Sequence, residues 1–265
     1  MLVLVVGATG SIGRLVVNEA IRQGYSVRAL VRNSSKASRL PLDTQVVIGD
    51  VTQPDTLPEA VNDVDAIVFT LGADSAGKIG AEGVNYGGVR NVLNALGSRK
   101  VRIALMSSIG VTDRTASYNR TTEGHDWKRR AERLVRASGL PYTIVRPGWF
   151  DMNGPDQKKL VFLQGDRRQS GTPTDGAVAR SQIAEVLVRS LTSDPALRKS
   201  FELISADGPA TKDFEALFAP LEADVEGALD TVRDTANMPL DQEPARLRED
   251  LEATAAHRTV RSGAA

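Results

Sequence analysis

Two rhythms of apolar and polar positions run through this chain. Runs rich in β-branched and aliphatic residues recur near residues 2 to 6, 26 to 31, 45 to 48, 65 to 70, 101 to 106 and 141 to 145, and each is short enough for a strand. Helix-length amphipathic stretches lie between them. Arg14 to Gln23 puts Leu15, Val16, Ala20 and Ile21 on one face, and Gly24 follows where a helix C-cap belongs. Asn85 to Leu96 and Asp126 to Ala137 repeat the arrangement, with Gly97 and Gly139 just beyond their ends. Strands alternating with helices predict an α/β fold, a doubly wound parallel sheet with helices on both faces.

The alternation breaks from Asp151 to Ala177, where Gly, Pro, Gln and charge predict loops around one short strand, Leu160 to Leu163. A helix over Gln182 to Leu191 and a strand over Phe201 to Ile204 then restore it. Beyond about Pro209, Ala, Glu, Asp, Leu and Arg dominate. Phe214, Leu217, Phe218, Leu221 and Val225 recur at roughly helical spacing, and a weakly amphipathic Ala245 to Ala256 follows Pro239 and Pro244. The expected organisation is a core over 1–150, a small lobe over 151–208 interleaved with it, and a helical tail over 209–265. That tail can dock on its own domain, join a second subunit in a homodimer, or fray. Its last residues, Arg261-Ser262-Gly263-Ala264-Ala265, are expected to be disordered.

Composition narrows the partners. Of 265 residues, 41% are hydrophobic and 25% charged, close to the soluble globular average. Lysine plus arginine (33) balance aspartate plus glutamate (33), so no global field recruits nucleic acid or an anionic membrane, and neither is expected as a partner. The absence of cysteine excludes disulfides, thiolate catalysis and cysteine-bound metal, and fits a reducing cytoplasm. The apolar start, Met1 to Val6, runs into glycine far short of the ~20 residues of a membrane span. It also lacks the basic start and cleavage site of a secretion signal, and reads as a buried strand.

Gly7-Ala8-Thr9-Gly10-Ser11-Ile12-Gly13 stands between that strand and the first amphipathic helix. Such a placement suits a Rossmann nucleotide loop: glycine allows a sharp turn, backbone approach to a pyrophosphate and close helix packing. Gly7, Thr9, Gly10, Ser11, Ile12 and Gly13 are therefore candidate cofactor contacts, with first-turn amides facing phosphate. A ligand-free turn is the plainer alternative. Where the second strand ends, the chain offers Arg32, Ser34 and Lys36 rather than the carboxylate that receives a ribose 2′-hydroxyl. Arg32 can fork onto a 2′-phosphate with Ser34 and Lys36 beside it, favouring NADP(H) over NAD(H); equally, all three can be ordinary solvated loop residues. Arg28 either leaves the covered face of the sheet or reaches the nucleotide.

These residues, with Val31-Arg32-Asn33, Gly49-Asp50-Val51, Met106-Ser107-Ser108, Gly139 to Gly148, Ser181 to Val186 and Phe201-Glu202-Leu203, make the chain resemble an atypical short-chain dehydrogenase/reductase, of the flavin-reductase-like and nitrogen-regulator-like group. The resemblance spans roughly residues 1 to 207. It implies that Asp50 and Val51 flank the adenine and that Leu71-Gly72-Ala73 covers the adenosine and pyrophosphate. It further implies that Ser107 sits beside the nicotinamide and that Pro147-Gly148 lines it. The bland alternatives are that Asp50 caps a turn, Ser107-Ser108 caps the next segment, and Pro147-Gly148 ends a strand.

Active members carry Tyr-x-x-x-Lys, the tyrosine as proton donor. Counting back from Gly139-Leu140 puts Lys128 in the lysine position and Gly124 where the tyrosine belongs. Lys128 either binds the nicotinamide ribose or is an exposed helix charge within Trp127-Lys128-Arg129-Arg130. Tyr118, His125 and Asp126 are the nearby groups able to move protons, and His125 is equally a cap or surface residue. His125 and His257 lie too far apart for a metal site, and none is expected. Trp149, Phe150, Met152 and Phe162 are either walls of a small-molecule substrate site or core.

Two functions remain open. One is an NADP(H)-dependent oxidoreductase transferring a hydride between nicotinamide and a small carbonyl, quinone or flavin-like acceptor. The other is a non-catalytic NADP(H)-binding redox sensor or regulatory protein. A sugar-nucleotide epimerase fits less well, because its chemistry leans on the missing tyrosine.

Overall fold

A computed structural model of the chain describes residues 1–73 and 76–263, with side chains through His257. Its strands are β1 (Leu2–Val6), β2 (Ser26–Val31), β3 (Gln45–Ile48), β4 (Ala66–Phe69), β5 (Arg102–Met106), β6 (Tyr142–Pro147), β7 (Trp149–Phe150), β8 (Lys159–Leu163), β9 (Ala177–Val178) and β10 (Lys199–Ala206). Its α-helices are α1 (Gly13–Arg22), α2 (Gly77–Gly80), α3 (Gly87–Leu96), α4 (Ser117–Thr122), α5 (Gly124–Ala137), α6 (Arg180–Arg189), α7 (Glu215–Phe218) and α8 (Ala245–Gly263).

Eight strands form one sheet in the order β3-β2-β1-β4-β5-β6-β10-β8. All neighbours are parallel except β8, which runs antiparallel to β10. The winding reverses between β1 and β4, where Val5 pairs with Ala29 on one side and Val68 on the other. A crevice opens beyond the carboxyl ends of strands at such a switch point. Val16, Val17 and Ala20 of α1 and Ile183 and Leu187 of α6 cover one face. Val92 and Leu96 of α3 and Trp127, Ala131 and Leu134 of α5 cover the other. Alternating side chains of the central strands thus meet an apolar layer on both sides, which is why those strands read as nearly continuous apolar runs. No helix among the described residues is long and apolar enough to cross a membrane.

Two segments depart from the expected pattern. The helix expected from Asn85 begins as a π-helical turn, Ala81–Tyr86, and becomes regular at Gly87. Gly88 is the reason the helix can lie so close to the sheet: a Cβ there would stand 2.9 Å from Leu71 Cδ1 and 3.0 Å from Val51 Cγ2.

The tail is the second departure. The helix expected through Phe214, Leu221 and Val225 shrinks to the four residues of α7. Phe214 and Phe218 are instead buried in the core, and Phe218 packs edge-on to Phe201 at 5.8 Å. From there the chain crosses α5 in irregular form, tied by arginines of that helix: Arg136 to Asp224, Arg133 to Asp230 and Arg130 to Glu243. The last helix, α8, buries Leu247 against the α3/α5 layer, while Asp250 accepts hydrogen bonds from Tyr86 at 2.8 Å and Arg90 at 3.1 Å. Of the three destinations open to the tail, the structure shows it on its own domain. The backbone of α8 runs through Gly263, past the point where disorder is expected, and Ala264 and Ala265 lie outside the described residues.

Candidate functional site

The glycine loop joins β1 to α1 at the switch point. Gly7 adopts φ +92°, and a Cβ there would lie 2.8 Å from Thr70 Oγ1 and 2.9 Å from the Thr70 carbonyl. At Gly13 it would stand 2.1 Å from the Gly7 carbonyl oxygen. Only hydrogen fits at either place, so the loop folds flat against its own backbone. Gly10 N donates back to the Gly7 carbonyl at 2.9 Å, closing the turn. Gly10 and Ser11 are exposed, Thr9 is half-buried, and Ile12 is buried as the anchor. Ile12 precedes α1 without a side-chain cap, and of the first-turn amides Arg14 N donates to the Gly10 carbonyl at 3.2 Å. That flat, glycine-lined turn at a helix N-terminus fits a dinucleotide pyrophosphate.

Arg32, Ser34 and Lys36 are all exposed just past β2, beside the switch point. Asn33 caps the short 3-10 helix Ser34–Arg39, its side chain accepting from Ser35 N at 2.9 Å, and so sets the path of that segment. Arg28 does not join them: its guanidinium donates to the Glu59 and Ala60 carbonyls at 3.2 Å each, pinning the turn before β4.

Asp50 does cap a turn, with Oδ1 accepting from Thr52 N at 2.9 Å and Thr52 Oγ1 at 2.8 Å. Val51 is buried, and its carbonyl accepts from Asn91 Nδ2 of α3 at 2.8 Å. Leu71 and Val51 thus meet over Gly88, while Gly72 has open space around its Cα and Ala73 receives the amide of Ala76 at 2.9 Å. Sequence reasoning missed Asn91, although a polar residue inside an apolar helix face is a legible signal.

Ser107 directly follows β5, 3% exposed, and its amide donates to the Val145 carbonyl at 2.7 Å. It borders a small cavity shared with Leu71, Asn85 and Lys128. Lys128 is buried, not the exposed charge that one reading made it. Asn85, also missed from sequence, is 3% exposed and neither its Oδ1 nor its Nδ2 finds a partner among the described residues. A buried amide left in that state is costly unless a ligand or water meets it. Ser107, Lys128 and Asn85 therefore come together from three elements around one small cavity.

His125 stands at the start of α5 with Nδ1 3.2 Å from the Asp113 carbonyl and its ring 4.9 Å from that of Tyr118. Burial pushes its pKa down, with the charge of Lys128 adding to the effect against the Asp113 hydrogen bond, so it is neutral near pH 7. Asp126 is buried, pairs with Arg114 at 3.2 Å and accepts from Asn119 Nδ2 at 3.1 Å.

The loop after Ser107 is held from outside the nucleotide core. Asp166, 1% exposed, accepts from Gly110 N at 2.6 Å, Thr112 N at 2.7 Å and Thr112 Oγ1 at 2.8 Å. Asn237 of the tail donates to the Thr112 carbonyl at 2.9 Å. Pro147 receives the Ile109 amide at 3.0 Å, and Gly148 is obligatory because a Cβ would lie 2.3 Å from the Gly176 carbonyl. Trp149 and Met152 are exposed beyond it, as walls of a substrate site would be, with Phe150 half-buried under Arg180. Phe162 is no such wall: it stacks on Phe201 at 4.3 Å and belongs to the core.

Comparison with known proteins agrees with this geometry. Residues 7–194 match a family model described as NAD(P)H-binding. The chain is 30% identical over 261 residues to sanguinarine reductase of Eschscholzia californica, covering 82% of this chain and 94% of that one. It is 29% identical over 209 residues to the photosystem II assembly factor Ycf39 of Synechocystis, covering 78% of this chain and 63% of the relative. A solved Bacillus halodurans structure, named within the NAD-dependent epimerases/dehydratases, superposes with a TM-score of 0.66 at 25% identity, covering 79% of this chain and 96% of that one.

Proposed function

The chain belongs to the NAD(P)H-binding family of Rossmann-type domains, and from that premise we propose that it is a cytoplasmic NADP(H)-dependent oxidoreductase acting on a small carbonyl, quinone or flavin-like acceptor. One juxtaposition carries the reading: the glycine-lined loop Gly7 to Gly13 follows the carboxyl end of β1, and the buried cluster of Ser107, Lys128 and Asn85 lies at the carboxyl end of β5 in the same sheet.

When bound, the reduced nicotinamide supplies the hydride. The chain does the rest. First-turn amides of α1 take the pyrophosphate, and Arg32, with Ser34 and Lys36 beside it, receives a 2′-phosphate that a carboxylate would repel. Asp50, Val51 and Leu71-Gly72-Ala73 bracket the adenosine. Lys128 holds the nicotinamide ribose, Pro147-Gly148 backs the ring, and Ser107 orients the acceptor oxygen. The resemblance to sanguinarine reductase, whose name states a reduction, supports the same chemistry.

The test combines binding and turnover. Arg32→Ala should weaken NADPH roughly tenfold to a hundredfold, the loss of a charge-assisted contact, and leave NADH nearly untouched. Purified protein with NADPH should consume nicotinamide absorbance against a panel of quinones, flavins and aldehydes, and Lys128→Ala or Ser107→Ala should abolish it. Gly124 in the tyrosine position favours a second reading, a non-catalytic NADP(H) sensor or regulator. Tight NADPH binding without turnover on any acceptor would select that one.

A further inference from the structure

Gly124 lacks the side chain that the tyrosine of an active reductase would carry, yet a phenol is there. A Cβ built on Gly124 would stand 2.3 Å from the hydroxyl oxygen of Tyr118 and 2.7 Å from its Cζ. Tyr118 thus fills the space into which residue 124 would project, and only glycine at 124 admits it. The local chain explains how it arrives. Glu123, at φ +54°, is left-handed and serves as the hinge between α4 and α5. Thr122 Oγ1 donates to the Tyr118 carbonyl at 2.8 Å and accepts from Gly124 N at 3.1 Å, fastening one helix end to the other. The His125 ring, 4.9 Å away, closes one side of the phenol.

Direction along α5 matters as much as distance. Residues four apart on a helix share a face, so the direction from Gly124 into the Tyr118 hydroxyl is also the direction in which Lys128 projects. Lys128 borders the cavity that Ser107 and Asn85 line. The phenol, although it comes from a different helix, therefore lies one turn along the same side of α5 as Lys128, and Lys128 in turn borders the cavity at Ser107.

We propose that Tyr118 is the proton donor of the reduction, replacing the tyrosine that position 124 does not supply. The assignment rests on the reductase reading above. A carbonyl acceptor gains a hydride at carbon from reduced nicotinamide and a proton at oxygen from the Tyr118 hydroxyl. The C=O π bond breaks as C–H and O–H bonds form, and the phenolate regains a proton from solvent, to which half-buried Tyr118 keeps access. NADPH, one solvent proton and the carbonyl yield NADP+ and the alcohol. A free phenol ionises near pH 10.

The deciding experiment compares the full-length protein with Tyr118→Phe, which keeps the ring against Gly124 and removes only the hydroxyl. NADPH affinity, the melting midpoint, kcat, KM and the pH profile are read with NADPH and 9,10-phenanthrenequinone, beside the quinone, flavin and aldehyde panel. The expected result is a kcat lower by about 10²- to 10³-fold, with KM and NADPH affinity within about twofold. The wild-type kcat should fall on the alkaline side as the phenol ionises, and the Phe variant should lack that limb. A Phe variant that retains kcat within about threefold and keeps the alkaline limb overturns the assignment while leaving the reductase reading intact. Absence of turnover by the wild-type protein on every acceptor overturns both.

Discussion

Arg146 and Glu132 face each other as a two-pronged pair sealed from solvent, with Arg146 Nε donating to Glu132 Oε1 at 3.0 Å and Nη2 to Oε2 at 2.7 Å. The pair locks α5, which carries Lys128, to β6, which ends in Pro147. Asp234 of the tail takes the outer edge of the same guanidinium in two bonds of 2.7 Å. Burial alone would push the Glu132 carboxyl up, but Arg146 and then Arg136 outweigh it and hold the group at about 2.

Removing Arg146 alone should therefore cost more than removing Arg146 and Glu132 together. Arg146→Met leaves Glu132 charged in the interior and should destabilise the fold by about 3–5 kcal/mol, read as a lower denaturant midpoint. The double variant Arg146→Met with Glu132→Leu should recover part of that loss. A single variant with an unchanged midpoint would show the pair to be energetically idle. Because the folded pKa of Glu132 lies below its ordinary 4.5, its contribution is present above pH 4.5 and is lost as pH falls toward 2.

Glu202 should show the opposite slope. Burial pushes its carboxyl up to about 7, with Asp166 and Asp234 opposing its ionisation and Arg146, at 3.5 Å, favouring it. A carboxyl whose folded pKa is raised stabilises fully below its unfolded value and loses that contribution as pH rises through 7. Glu202→Gln should therefore raise the melting midpoint relative to wild type at pH 8 more than at pH 5. Equal differences at the two pH values would contradict this environment.

Deleting residues 209–265 should unfold the chain rather than trim it. Arg133 and Arg136 would lose Asp230 and Asp224, Arg146 would lose Asp234, and the layer over α3 and α5 would lose Leu247. The expected readout is loss of the cooperative melting transition in circular dichroism. A truncated chain that melts like the full one would make the tail dispensable.

Gly13→Ala should reduce NADPH affinity by at least about tenfold and lower the melting midpoint, because the added Cβ meets backbone at 2.1 Å and the loop must open. Gly83→Ala, with open space for a Cβ in a helical turn, provides the control and should leave NADPH affinity unchanged while raising the melting midpoint slightly.

The regular strands and helices follow from the sequence with little ambiguity. β1, β2 and β3 fall on the expected residues, and β6 runs two residues further than expected, to Pro147. The glycine loop was legible for the same reason: its constraint is local, a turn between a strand and a helix read within one short window. The arginines of α5 were not. Arg129, Arg133 and Arg136 look like a solvated helix face until residues about a hundred positions away arrive to bury them. Phe214, Leu221 and Val225 have helical spacing, but tertiary packing of Phe214 and Phe218 around Phe201 took precedence over that weak propensity.

What the sequence settled by itself is whatever depends on neighbours along the chain: the alternation of elements, the glycine-rich bend at Gly7 to Gly13, and the substitution of Gly124 for a tyrosine. Only the folded molecule decided what depends on approach through space. It set Asn85 beside Ser107 and Lys128, threaded the tail across α5, and swung Tyr118 over Gly124. Periodicity records which face of an element is apolar, but burial of a charge, or entry of a phenol into the space left by a missing side chain, is fixed by partners that no local window contains.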